Sequence, residues 1–390
     1  MADAYIVAAV RTAGGRRGGK LSGWHPAEMA GRVLDELVVR SKVDPTLIED
    51  VIMGCVGQAG EQSFQIGRHA VLSSHLPETV PAVSIDRQCG SSQQSIQFAA
   101  QAIMSGTQDI VIAAGVESMT RVPMFLPTTL AAQNGFGSPF ADAIKERYHV
   151  QEFSQFEGAE MMAVKYGFER AALDAFALES HKKAAAASDS GAFDAEILGL
   201  EIDDGQGGKV LHTKDEGIRR EATLESIGSV KLLREGGRIS AANASQICDG
   251  ASGVMVVSEA ALKRHGLTPI ARIHNVTVTA GDPVIMLEEP IRATQKALER
   301  AGMKIGDIDL YEVNEAFAPV PLAWLKQTGA DPARLNVNGG AIALGHPLGA
   351  SGTKLMTTLI HALKARGLKF GLQTMCEGGG QANVTIVEAL

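Results

Sequence analysis

Short runs rich in β-branched residues alternate along this chain with longer stretches whose apolar residues return every three or four positions. The first pattern predicts strands at Tyr5 to Val10, Asp50 to Met53, Asp109 to Ala114, Gly253 to Val257, Ile270 to Val278, Leu310 to Val313 and Phe370 to Met375. The second predicts helices at Pro26 to Val43, Ala171 to Ala187, Pro290 to Ala301 and Ser351 to Arg366. Strands separated by helices imply an α/β fold with a largely parallel sheet. Two segments, CGSSQQSIQFAAQAIMSGTQDIVIAAGVES and LGASGTKLMTTLIHALKARGLKFGLQTMCEGGG, share one order: Gly/Ser start, helix, turn, hydrophobic strand, turn. Duplication of one α/β unit would produce this echo, and so would two unrelated generic units. From about Thr120 to Ser240 the texture changes. PMFLPTTLAAQNGFGSPF is turn-rich, a charged helical stretch follows, and DDGQGGKV reads as a hairpin turn, so this region is expected to be an insertion covering a site.

Composition narrows the classes. With 390 residues, 45% apolar and 21% charged, the chain is long enough for two or three domains and a sequestered site. A net charge of −8, spread along the chain, gives no electrostatic reason to expect nucleic acid, and any anionic ligand must find a local basic patch. Cys55, Cys89, Cys248 and Cys376 form no CxxC pair, which argues against zinc or a redox dithiol and fits a reducing, cytoplasmic setting. MADAYIVAAVRTAGGRRGGK places its apolar run before its basic residues, the reverse of an export signal, and no apolar run is long enough for a membrane span.

Four stretches carry chemistry. In DRQCGSSQQS, Ile96, Ala99, Ala100 and Ile103 recur at helical spacing, so a helix begins just after Cys89. A thiol at a helix N-terminus is favoured as thiolate, yet free cysteine is also among the most buried residue types, so Cys89 reads as a nucleophile or as core. In NVNGGAIALGHPLGASGTK one histidine stands among five glycines, and the spacing matches neither GxxxxGK[ST] nor GxGxxG. His346 is there a base for a distant nucleophile or a structural residue. TMCEGGGQ brings Cys376 out of a strand into a glycine turn, and VNEAF places Asn314 after another strand.

Together these stretches resemble the thiolase family, in order and along essentially the whole chain. The resemblance implies duplicated βαβαβαββ halves in a layered α-β-α-β-α core. The N-terminal half spans 1–119 and resumes at about 241–268, an inserted loop domain spans 120–240, and the C-terminal half spans 269–390. It implies a CoA-dependent acyltransferase that cleaves a 3-ketoacyl-CoA to acetyl-CoA and a shortened acyl-CoA, or runs the reverse Claisen condensation, through an acyl-cysteine. Cys89 would be the nucleophile, His346 its base and an oxyanion donor, and Cys376 the acid. Asn314 would hold an oxyanion-hole water, with the backbone N–H groups of Cys89 and Gly378 completing the second hole. Coenzyme A enters as co-substrate, with no permanently bound cofactor and no metal. It would meet Arg219, Ser226 and Ser245, with Met286 and Phe317 lining the acyl pocket. A homodimer or homotetramer is expected, the latter through PMFLPTTLAAQNGFGSPF.

The chain departs from the family pattern at Asp86 and Ser92, where NRxCGSG is common, and at Gln246, which adds bulk near the pantetheine channel. Glu377 follows the second thiol, and a carboxylate there would raise that thiol's pKa. In QFEGAEMM, Glu157 and Gly158 replace a Met-Gly pair tied to acetoacetyl specificity, so a longer, branched or ring-bearing acyl group is as plausible. Two alternatives compete: a ketosynthase-like condensing enzyme, which would use two histidines, and a non-catalytic acyl-CoA or sterol carrier, which would lack a catalytic residue.

Overall fold

The computed structural model describes residues 3–390. In chain order the framework strands are β1 (Ala4–Thr12), β2 (Asp50–Gly54), β3 (Ala82–Ile85), β4 (Ile110–Ser118), β5 (Cys248–Ser258), β6 (Ala271–Ala280), β7 (Leu310–Val313), β8 (Phe370–Glu377) and β9 (Gln381–Ala389). The helices that frame them are α1 (Pro26–Ser41), α2 (Ile66–Leu72), α3 (Ser91–Ser105), α4 (Gln155–Tyr166), α5 (Arg170–Asp189), α6 (Pro290–Ala301), α7 (Pro319–Thr328) and α8 (Ser351–Arg366).

Strand order exposes the duplication. The first half runs β3-β2-β4-β5-β1, with β2 parallel to β3 and β4, then antiparallel steps from β4 to β5 and from β5 to β1. The second half repeats this as β7-β8-β9-β6, parallel then antiparallel twice. A single parallel bridge between Tyr311 and Leu335 stands where the first half has β3. The halves join where β1 pairs antiparallel with β6.

Period-two alternation sorts each strand between layers. In β4, Val111 and Ala113 face a core shared with α3 and α8, whereas Ile110, Ile112, Ala114 and Val116 face the core under α1 and α2. The shared core also takes Leu310 and Val387 from the second half, which puts α3 and α8 between the two halves of the sheet. Helices α6 and α7 cover the far face through Ile291, Leu298, Val320 and Trp324. The result is the five-layer α-β-α-β-α stack.

The segment between β4 and β5 adds α4, α5, a hairpin of Leu200–Asp203 with Lys209–His212, and short helices that include Leu126–Gln133. That last helix lies within PMFLPTTLAAQNGFGSPF, the stretch read as turn-rich. None of its residues is buried and it has no apolar stripe, so periodicity gave no signal for it.

Candidate active site

Cys89 stands one residue outside α3, whose N-cap is Gly90. The loop is built by local hydrogen bonds. Gln88 adopts a positive φ of 49°, and its N–H donates to Asp86 Oδ1 at 2.6 Å, an Asx turn that a carboxylate closes as well as an amide would. Ser91 Oγ accepts from Arg87 N–H and donates to the Gln88 carbonyl, fixing the turn from the helix side. Ser92 Oγ accepts from Thr353 N–H at 3.0 Å, tying the start of α3 to α8.

His346 enters from the glycine-rich loop ahead of α8. Ser351 Oγ donates its only proton to the Pro347 carbonyl at 2.9 Å, so at 2.5 Å from His346 Nδ1 it must accept from Nδ1–H. The tautomer is thereby set: Nε2 carries the lone pair, and Asn314 Nδ2 lies 3.4 Å from it. Burial, reinforced by the charge of Lys354, lowers the imidazole pKa to about 3. Lys354 in turn donates to the Leu344 and Gly345 carbonyls and holds the loop in place.

The end of β8 packs behind the Cys89 loop. Met375 shares a small apolar cluster with Cys89, Gly378 lies against the Gln88 side chain, and the Glu377 carboxyl presses on Gly90. Cys376 is buried, and dehydration, with Cys89 as a charged neighbour second, pushes its thiol well above the usual range. Among the described residues, the backbone N–H groups of Cys89 and Gly378 have no acceptor in another residue, and Asn314 Oδ1 has no partner.

Burial opposes the helix-dipole expectation for Cys89. Burial first, and Glu377 second, raise its thiol to about 12. Desolvation disfavours a thiolate, and the helix whose end would favour it starts two residues later. At rest the pair is therefore a neutral thiol and a neutral imidazole.

Cys89 and His346 open onto a cavity of about 570 Å³, and Phe317, Ser245, Gln246 and Arg219 also line it. A second cavity of about 530 Å³ takes Arg219, Arg220 and Ser226. Arg220 is paired with Asp189, and Ser226 Oγ is engaged in a reciprocal cap with Thr223, whereas the Arg219 and Ser245 side chains have no partner among the described residues. Cys376, Asn314 and Gly378 do not line the first cavity, Asn314 lines a small third one, and Met286 sits in the core beside Gly158. Sequence reasoning missed Glu117. Its buried carboxylate accepts from Val56, Gly57 and Gly349 N–H and joins the Cys55 turn to the loop after His346. It also missed Arg16 and Arg17 at the cavity mouth, where only the doubled basic residues in GGRRGG marked them.

A thiol and a histidine on one cavity, a second thiol close by and unpaired backbone donors in a layered α/β core are the groups that an acyl-transferring enzyme needs. Residues 4–260 match the description "Thiolase, N-terminal domain" and residues 267–389 match "Thiolase, C-terminal domain". The chain is 50% identical to the steroid 3-ketoacyl-CoA thiolase FadA6 of Mycobacterium tuberculosis, covering all of this chain and 95% of that one. It is 40% identical to an acetyl-CoA acetyltransferase of Cupriavidus necator, covering both chains fully. The crystal structure of the Bacillus anthracis acetyl-CoA acetyltransferase superposes with a TM-score of 0.91 at 37% identity, covering 100% of this chain and 99% of that one. Human mitochondrial 3-ketoacyl-CoA thiolase gives 0.90 at 36%, with the same coverage. This chain belongs to the thiolase family. It is a CoA-dependent acyltransferase that cleaves 3-ketoacyl-CoA, or runs the reverse condensation, rather than a ketosynthase or a carrier.

Proposed function

We propose that Cys89 carries the acyl group and that the enzyme is suited to 3-ketoacyl-CoAs with a bulky, ring-bearing acyl group. His346 Nε2 takes the Cys89 proton, and the thiolate attacks the 3-keto carbon. As the carbon–carbon bond breaks, Cys376 protonates the acetyl-CoA enolate. The Cys376 thiolate then takes the proton of incoming CoA, whose sulfur attacks the acyl-cysteine, and Cys89 leaves and recovers its proton from His346. The enolate oxygen would be met by His346 and an Asn314-held water, the tetrahedral oxyanion by the N–H groups of Cys89 and Gly378. CoA phosphates would meet Arg219 and Arg220, with Ser226 beside the adenine, Ser245 beside pantetheine and Arg16 and Arg17 at the mouth.

The acyl-group reading rests on one observation. Glu157, where acetoacetyl-specific thiolases carry methionine, turns outward to pair with Arg234 at 2.6 Å and leaves the wall to Gln155, Phe156, Met119 and Met124. The name of the Mycobacterium relative, a steroid thiolase, points the same way. The test follows CoA-dependent loss of the magnesium-enolate absorbance of 3-ketoacyl-CoAs, with Cys89→Ala as the inactive control. Faster cleavage of an alicyclic or steroidal substrate than of acetoacetyl-CoA is expected, and the opposite order would remove the acyl-group assignment.

Among the described residues no helix is long and apolar enough to cross a membrane. Four unpaired cysteines support a reducing, cytoplasmic setting. The open edge of β3 and the exposed Phe64 (87%) and Phe136 (83%) support a homodimer or homotetramer.

A further inference from the structure

The two cavities share Arg219, Ala241 and Gln246 in their walls. On the reading above, CoA has its charged end in one cavity and its sulfur at Cys89 in the other, so its uncharged pantetheine arm passes these residues.

Gln246 is held in one orientation there. Nε2 donates to the Gly217 carbonyl at 2.9 Å and to the Ile342 carbonyl at 2.7 Å, which uses both amide hydrogens. The Ala343 carbonyl lies at 3.5 Å from the same nitrogen. Oxygen placed there would face only acceptors, so the amide cannot be turned. Its backbone is fixed as well, because the Gln246 carbonyl accepts from His346 N–H at 3.0 Å. Oε1 accepts from no described residue and is not among the buried unpartnered atoms, which leaves it open to the cavity. A rigid acceptor beside the path of an arm with two amide N–H groups matches the one donor type that arm offers at mid-length.

We propose that Gln246 is a positioning residue for coenzyme A, accepting through Oε1 a hydrogen bond from one pantetheine amide. It recognises the arm, not the phosphates.

The experiment measures, by calorimetry, binding of desulfo-CoA, of two analogues in which one or the other amide is replaced by an ester, and of adenosine 3′,5′-bisphosphate, which has no arm. In the unmodified enzyme one ester analogue binds roughly 3- to 10-fold more weakly than desulfo-CoA, the loss expected for one neutral hydrogen bond. In Gln246→Met desulfo-CoA weakens by the same factor, that ester analogue weakens no further, and the bisphosphate is unchanged. KM for CoA in thiolysis rises while kcat holds. Equal binding of both esters and desulfo-CoA to the unmodified enzyme overturns the proposal, and so does equal weakening of the bisphosphate in Gln246→Met. Absence of thiolysis in the unmodified enzyme would instead remove the reading on which the proposal rests.

Discussion

Glu377 shows how much one residue can carry without being part of the chemistry. Both carboxyl oxygens are buried with no partner, and the Asn383 Oδ1 and Arg87 Nε atoms nearby are likewise unpaired. Burial therefore pushes the carboxyl well above its ordinary value, with the charge of Arg87 only partly opposing this. A group raised on folding stabilises the native state fully below its unfolded value of about 4.3 and less as pH rises towards the folded one. Glu377→Gln keeps the shape and cannot ionise, so the variant should gain melting temperature over the parent at pH 9 and little or nothing at pH 5. An equal difference at both pH values in thermal melts would mean that the carboxyl is not held neutral. The loop sequence shows a carboxylate beside a thiol, but which way it points depends on strand register. In β8, Cys376 and Glu377 face opposite sides, and an ionised Glu377 raises both thiols, as the second cause at Cys89 and as a minor one at Cys376.

At the scale of elements, what could be read from the chain follows burial. Helices Pro290–Ala301 and Ser351–Arg366 and strand Leu310–Val313 have the predicted bounds, because each carries a full apolar face or run between clear punctuation. Strand Ala82–Ile85 lies at an edge, half exposed and four residues long, too short for alternation to register. Helix Gln155–Tyr166 hides its small buried face, Gly158, Ala159 and Ala163, among charged residues. Pairing of distant elements leaves still less trace: α3 and α8 cross at Gly352, where an added Cβ would collide with the Gln93 backbone nitrogen. The echo between the two segments identified the helices, and only the fold shows that they meet, because Ser92 and Thr353 bond across the crossing. Gly352→Ala should therefore cost about 1–3 kcal/mol, as overpacking of a core does, and should also slow acylation by displacing Ser351 from His346 Nδ1. The urea midpoint and a burst assay of Cys89 acylation test this, and an alanine tolerated in both would show that the helices have room to part.

Across the whole molecule, the segment between β4 and β5 is fastened to the core by a buried charge cluster. Arg11 of β1 bonds Glu196 at 2.5 Å and Asp215 at 2.9 Å, and none of these side chains is more than 1% exposed. Asp215 also accepts from Gly14 N–H at 2.7 Å. Burial alone would raise the Asp215 carboxyl, but the charges of Arg11 and Lys354 more than offset it and hold the carboxyl below its usual range. Its contribution to stability is therefore present above the unfolded carboxylate value of about 3.9 and is lost as pH falls below it. The residues just after this tie, Glu216, Gly217 and Arg219, line the cavity at Cys89, so the cluster couples the position of the binding wall to the stability of the first sheet. Removing one partner of a buried ionic group leaves uncompensated charge and costs about 3–5 kcal/mol. Arg11→Met should lower the melting temperature accordingly. Because the tie is lost before the sheet gives way, protease should cut first in the strap formed by residues 200–220, and KM for CoA should rise by more than kcat falls. A variant that melts early yet is cut evenly along the chain, with KM unchanged, would mean that Arg11 supports the core alone and that the strap holds its place by other contacts.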